Sequence, residues 1–253
     1  MRVGAEPVTL TAYLGGACLA AEGVALGDLA AEVLPAEAAP ACLSPRQAKR
    51  LSPQIRLALA VAERLGAALP EDAAWVFASS MGEGETLNVI LEALRAPDML
   101  IQPTRFQNAV HNAAGGQWTI AAGLRGPVTS IAGYDETVGA GLLKALMQTT
   151  LERRAVGLVA YDVPLPPPLD VKRPMTAPVG AGIVLLPEGA GARLTAHVGP
   201  WQPSEAQTDG ARALVGTGNP IAAILPLLEI LAGGRAALGL PGGQVLHLEV
   251  DPG

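Results

Sequence analysis

One short stretch, Gly133-Tyr134-Asp135-Glu136-Thr137, has the form that presents a single side chain for chemistry. The apolar run Val128 to Ala132 leads into it as a buried strand, and a helix continuing to Leu151 follows. The turn between them is therefore sharp, lies at the strand's carboxyl end and sits beside a helix N-terminus, the setting in which elbows expose Ser, Cys or Asp nucleophiles. Asp135 is the candidate nucleophile, with Tyr134 and Thr137 beside it. A carboxylate at a helix start is equally suited to capping it, so the elbow's residues by themselves leave both roles open. Gly139 and Gly141 on the following helix would let it approach a neighbouring backbone closely.

His111-Asn112 is the second candidate, set among the small and polar residues Phe106-Gln107-Asn108 and Ala113 to Gly116. A hydrolase or acyltransferase working through Asp135 would need a histidine base, and His111 is the best placed by order in the chain. Against such an enzyme, Thr137 stands two residues after Asp135, where the tight turn of an α/β-hydrolase needs glycine. Ser80-Met81-Gly82-Glu83-Gly84 has the outline of a dinucleotide loop, but Leu87 takes the place of the third glycine and Glu83 and Glu85 would repel a pyrophosphate. A tight strand-to-helix turn is the expectation there. His197 and His247 fall inside strands, where packing or a surface position accounts for them. Arg46, Lys49, Arg50 and Arg56 form a basic cluster that reads as a solvated helix face or a surface for an acidic protein partner.

The elements that hold these residues follow from hydrophobic pattern. Strands are expected at Val8–Leu14, Ala74–Ser79, Val128–Ala132, Gly157–Asp162, Gly182–Leu186, Arg193–Val198 and Gln244–Val250. Helices are expected from the Ser52-Pro53 cap to Gly66, near 84–95, at Asn112–Ala122, after the elbow to Leu151, and near 220–232. Residues 163–178 contain six prolines and read as loop, and 200–217 as irregular. The strand–helix alternation ends in a hairpin-like pair, which defines an α/β protein with a mixed, mostly parallel sheet.

Composition narrows the function. The chain has 253 residues, half of them hydrophobic, and a net charge of 17 − 23 = −6, which gives no broad footprint for nucleic acid. Two cysteines and three histidines supply neither a disulfide scaffold nor a metal cluster, and no cofactor is expected. The apolar segment Val8 to Ala21 is interrupted by Thr11, Tyr13 and two glycines, so neither a lipoprotein signal nor a membrane span is expected. The expectation is a cytoplasmic protein with reduced thiols.

The stretch from Asn112 to Leu143 resembles the ketosynthase branch of the thiolase fold, through Thr119-Ile120-x-x-Gly123-Leu124-Arg125-Gly126-Pro127 followed by Thr129-Ser130-Ile131-Ala132. A closer resemblance is to short chain length factor-like ketosynthase homologues found with aryl-polyene and related fatty-acid-type pathways. It rests on Phe77-Ala78-Ser79-Ser80, Pro103-Thr104-x-Phe106, Val110-His111-Asn112-Ala113-Ala114 and Tyr161-Asp162-x-Pro164-x-Pro166, in that order. The resemblance implies a thiolase-like layered fold, with a ketosynthase-like half at 1–199 and a reduced remnant of the second half at 200–253. It puts Asp135 where the family has its acylated cysteine, while the family's two C-terminal histidines have no counterpart, so condensation by this chain alone is not expected. What it implies instead is a silent subunit paired with an active β-ketoacyl synthase, or with itself as an acyl-binding homodimer. Phe106, His111 and Asn112 would then lie near the partner's acyl tunnel, and acyl carrier protein would be met indirectly.

Overall fold

In the computed structural model, which describes residues 8–21, 31–36, 40–98, 100–200 and 214–253, the chain builds a nine-stranded mixed sheet. The strands are β1 (Thr9–Ala21), β2 (Glu32–Leu34), β3 (Ala74–Ala78), β4 (Val128–Ile131), β5 (Val156–Asp162), β6 (Val179–Leu186), β7 (Arg193–Gly199), β8 (Gly234–Leu240) and β9 (Gln244–Asp251). The helices are α1 (Pro45–Ala48), α2 (Pro53–Gly66), α3 (Gly84–Arg95), α4 (Pro103–Asn108), α5 (Ala113–Ala122), α6 (Thr137–Leu151) and α7 (Leu225–Glu229).

β3 sorts the layers by its two-residue alternation. Ala74, Val76 and Ala78 face a core built with Val138, Leu142, Ala145 and Leu146 of α6, together with the apolar segment 221–230. Trp75 and Phe77 face the other way, into a core made with α2 and with Ala113, Ala114 and Trp118 of α5. Helices thus cover both faces of the sheet, and β3 and β5 have no exposed residue.

The sheet runs β4-β3-β5-β6-β1-β7-β9-β8, with β2 added beside β1. Parallel pairing is confined to β3–β4, β3–β5 and β1–β2. The other five pairings are antiparallel, so the parallel share is smaller than the strand–helix alternation suggests. Helical crossovers link β3, β4 and β5, whereas β8 and β9 follow one another through a short connection that favours antiparallel neighbours.

β6 and β7 do not form the expected hairpin. β1 lies between them, pairing with β6 from Tyr13 to Ala21 and with β7 from Thr9 to Tyr13. β1 is also longer than its apolar start indicates, because Gly15 absorbs a register shift where a β-carbon would meet Val184 at 2.6 Å. β8 was not expected at all. It pairs along its whole length with β9 and carries the sheet's far edge. The apolar helix expected near 220–232 is broken into a 3-10 turn, Pro220–Ile224, and the short α7. Pro226 has no N–H to continue the ladder. Most of the expected irregular segment 200–217 falls on residues 201–213, outside the described residues.

Gly139 works as its spacing suggested. A β-carbon there would lie 2.0 Å from the carbonyl oxygen of Gly239, so α6 packs directly on the β8 backbone. Gly139→Ala is expected to lower unfolding free energy by about 1–3 kcal/mol in denaturant titration, because neither backbone can give way cheaply.

Candidate functional site

The carboxyl ends of β3, β4 and β5 converge on two separate arrangements. The first is the elbow after β4. Gly133 leads into a 3-10 turn, Tyr134–Glu136, which runs directly into α6. Tyr134 has φ +54°, a left-handed conformation that costs a non-glycine residue energy and persists only where its surroundings enforce it. Thr137 supplies part of that enforcement. Its buried hydroxyl donates to the Tyr134 carbonyl at 2.7 Å and accepts from the Gly133 N–H at 2.9 Å. Thr137 is therefore a structural pin of the turn.

Asp135 does not cap the helix. Its carboxylate, 63% exposed, sits 2.5 Å from Nη2 of Arg173, whose side chain is only 9% exposed. The same guanidinium lies 3.9 Å over the Tyr134 ring. The Asp135 contact is close but lacks hydrogen-bond alignment, so Nε and Nη2 of Arg173 have no hydrogen-bond acceptor and the contact is an ion pair only. Arg173 comes from the proline-rich segment after β5. No local signal around the elbow announces it.

The second arrangement is a buried polar knot around Asp162 at the end of β5. Asp162 is fully buried, and its Oδ1 accepts from Ser79 Oγ at 2.7 Å and Gln54 Nε2 at 3.1 Å. Its Oδ2 accepts from the Ser80 N–H at 3.1 Å and the Ser80 hydroxyl at 2.6 Å. Gln54, near the start of α2, also accepts from the Val163 N–H, and Asn219 donates to the Asp162 carbonyl at 3.0 Å. The knot ties β3, β5, α2 and the segment before α7 together. Sequence reading met Asp162 only as part of a resemblance block. A lone carboxylate closing a wholly apolar strand was the signal that could have found it.

His111 belongs to this knot and not to the elbow. Its Nε2 is 3.0 Å from the Ser79 carbonyl oxygen, and a β-carbon on Gly82, whose φ is +58°, would lie 3.1 Å from the imidazole. Among the described residues no hydrogen bond joins His111 to Asp135, so the pair expected of an Asp nucleophile and a His base is not assembled. Asn112 is exposed and ends its segment as the N-cap of α5 without a side-chain capping bond. Phe106 stands on α4 with 67% of its surface exposed. The Ser80–Gly84 segment is the tight turn expected, with no room for a side chain at Gly84, whose β-carbon would meet Leu165 at 2.2 Å.

Neither thiol is placed to act as a nucleophile. Cys18 is buried in β1 under α2, and burial pushes its thiol up to about 12. Cys42 precedes α1, its N–H donating to Glu63 of α2, and burial raises it as well. Among the described residues no group of three His, Cys, Asp or Glu side chains could hold a metal ion, and no helix is long and apolar enough to cross a membrane.

Glu83, in the turn before α3, is buried, and desolvation raises its carboxyl despite hydrogen bonds from Ser52 and Thr86. A raised folded value means that its neutral form is favoured in the native state. Its contribution is then fully present below the ordinary carboxylate range and is lost as pH rises through the folded value. Glu83→Gln is therefore expected to raise the melting temperature relative to the parent near about pH 7.5, with the gap closing near about pH 4.

The layered architecture and the elbow at the end of β4 define a thiolase-like protein. The family model for the β-ketoacyl synthase N-terminal domain matches residues 29–242, and the chain belongs to that family. Among solved structures, it is similar to a chain of the ketosynthase ApeO–chain length factor ApeC complex from Xenorhabdus doucetiae, with TM-score 0.72 and 20% identity over 95% of this chain and 99% of that one. A chain of the ishigamide ketosynthase/chain length factor matches with TM-score 0.67 and 15% identity over 96% and 99%. A chain of AntDE:AntF, a type II polyketide acyl-carrier protein in complex with its hexaketide-bound ketosynthase, matches with TM-score 0.69 and 9% identity over 96% and 99%. No curated protein matches the chain significantly in sequence.

Proposed function

We propose that this chain is a catalytically silent partner of an active β-ketoacyl synthase and helps shape the tunnel that holds the growing acyl chain in fatty-acid or polyketide-type synthesis. One observation carries the reading: uncovered apolar surface gathers on one segment. Eight of the fourteen exposed large apolar or aromatic side chains among the described residues lie between Leu87 and Tyr134. In α3 all three leucines, Leu87, Leu91 and Leu94, face outward at helical spacing, while Thr86 and Asn88 are buried along with Ile90. Phe106 on α4, Val110 in the link after it and Ile120 on α5 continue the exposure, and α5 packs beside β4, which pairs only with β3 among the described residues. An open strand edge flanked by apolar side chains is a template for another chain.

Silence is supported by the site itself. The nucleophile position holds a carboxylate paired with Arg173, both thiols lie elsewhere with raised values, and His111 is engaged with the Ser79 carbonyl. The similar solved chains come from ketosynthase assemblies, which is consistent with a synthase partner and with an acyl carrier protein being met through it.

The test is co-expression with the β-ketoacyl synthase encoded beside it, with the complex's mass read by light scattering. A one-to-one complex is expected, with condensation lost when the partner's nucleophile is removed and kept in Asp135→Asn. A homodimer that persists beside the synthase, or a free monomer, overturns the reading. Within an active complex, Phe106→Ala is expected to lengthen the product by one or more condensation units, read by mass spectrometry of the released chains.

A further inference from the structure

We propose that a groove between α2 and the proline-rich segment after β5 binds an amphipathic anion, an apolar chain that ends in a phosphate-type or carboxylate head. One end of the groove reaches α3 and α4 through Glu85, Thr86, Arg105 and Asn108, beside the proposed synthase-facing surface, but binding to it is read on the isolated chain and does not depend on that pairing. Two adjoining clefts make the groove, of about 610 Å³ and 570 Å³, and they share Pro53, Arg56 and Glu85. Each falls within the size range of small-molecule sites.

The two ends differ in chemistry. One is cationic, lined by Lys49, Arg50, Arg56 and Arg105. Among the described residues Lys49, Arg50 and Arg105 have no ion pair, and Arg56 spends one N–H on the Leu51 carbonyl at 3.2 Å. Glu85 is the carboxylate that lines this end, so four cations face one anion in a chain whose net charge is −6. Like charges are not collected in one concavity without cost, and an oxyanion relieves it.

The other end is apolar, walled by Leu57, Val163, Pro164, Leu165, Pro166 and Pro178. Prolines present no N–H, so this wall cannot add a peptide strand, and their fixed φ keeps the wall from collapsing into the cleft. Leu165 is seated hard against Gly84, which fixes the floor. An acidic protein surface would use the cations and leave this wall idle. A chain with a charged head uses both ends.

Isothermal titration of the full chain with butyl, hexyl and octyl phosphate, each kept monomeric, tests the proposal. Octyl phosphate is expected to bind one to one, with affinity rising roughly two- to fourfold per methylene along the series. Inorganic phosphate and octanol should each bind at least about 100-fold more weakly than octyl phosphate. The exposed pair Lys49→Glu/Arg105→Glu should weaken octyl phosphate by more than about tenfold. Pro164→Asn, polar but uncharged, should flatten the chain-length series and leave the response to inorganic phosphate unchanged. Thermal unfolding of each variant verifies that the fold is intact. Affinity independent of chain length would mean an ionic surface only, and loss from neither variant would place the ligand elsewhere. Either result, or no binding by octyl phosphate, overturns the proposal. Complex formation with the synthase is a separate readout and should be the same in the Pro164 variant.

Discussion

Asp162→Ala is expected to lower the unfolding free energy by about 3–5 kcal/mol. The carboxylate has no exposure and accepts four hydrogen bonds, from Ser79 Oγ, Gln54 Nε2, the Ser80 N–H and the Ser80 hydroxyl. Alanine removes the acceptor shared by α2 and the turn after β3, and of the donors only Gln54 Nε2 keeps other acceptors, Ser79 Oγ and the Tyr161 carbonyl. Asp162→Asn keeps the shape but turns one acceptor into a donor that faces other donors, so a loss of about 2 kcal/mol is expected. Asp98→Ala, on an exposed residue, should stay within about 0.5 kcal/mol and serves as the control. Denaturant titration followed by circular dichroism reads all three. If Asp162→Ala matched Asp98→Ala, the knot would not be what holds α2 and the turn after β3 to the end of β5. The loss should also be felt at His111, because Ser79 both donates to Asp162 and offers its carbonyl to the imidazole.

What the sequence makes legible here is whatever depends on neighbours in the chain. β3, β4 and β5 are short apolar runs and lie where their patterns put them, and Ser52-Pro53 starts α2 with its hydroxyl accepting from the Ile55 N–H. β8 escaped notice because Gly-Arg-Ala-Ala-Leu-Gly-Leu has no β-branched residue and only weak alternation; its strand character comes from β9 beside it. The separation of β6 from β7 by β1 is likewise a matter of distant pairing.

The candidate residues divide in the same way. Thr137 acts on its immediate surroundings, so the elbow's geometry was readable; Gly139 signalled a close approach, but the backbone it meets, at Gly239, is distant in the chain. The partner of Asp135 is 173 − 135 = 38 residues away in a segment read as featureless loop, so the ion pair with Arg173 was not. α3 misleads any reading that turns leucines inward. Its leucines face out while Thr86 and Asn88 turn inward to partners in Glu83, Glu92 and the Pro167 carbonyl. Under the proposed pairing, these outward leucines belong to the face that the partner covers.

That face gives the second large effect: Ser130→Pro should abolish association with the synthase, weakening it by at least about 100-fold, while leaving the isolated chain folded. The Trp75 N–H bonds the Pro127 carbonyl and the Ser79 N–H bonds the Ile131 carbonyl, so residues 127, 129 and 131 turn their backbone groups toward β3. By strand alternation Val128 and Ser130 turn theirs to the open edge. Proline at 130 thus removes a donor that serves no bond within the chain, which edge strands tolerate, and its ring blocks a strand approaching from outside. Little else is lost, since the Ser130 hydroxyl is buried without a hydrogen-bond partner. Thr129→Pro is the contrasting arm. It removes a donor on the β3 side and should destabilise the chain itself, seen as a lower denaturation midpoint. Light scattering of the co-expressed pair and denaturant titration of the free chain separate the two. If Ser130→Pro left the complex intact, the partner would not be using the β4 edge, and the exposed leucines of α3 would become the next face to alter.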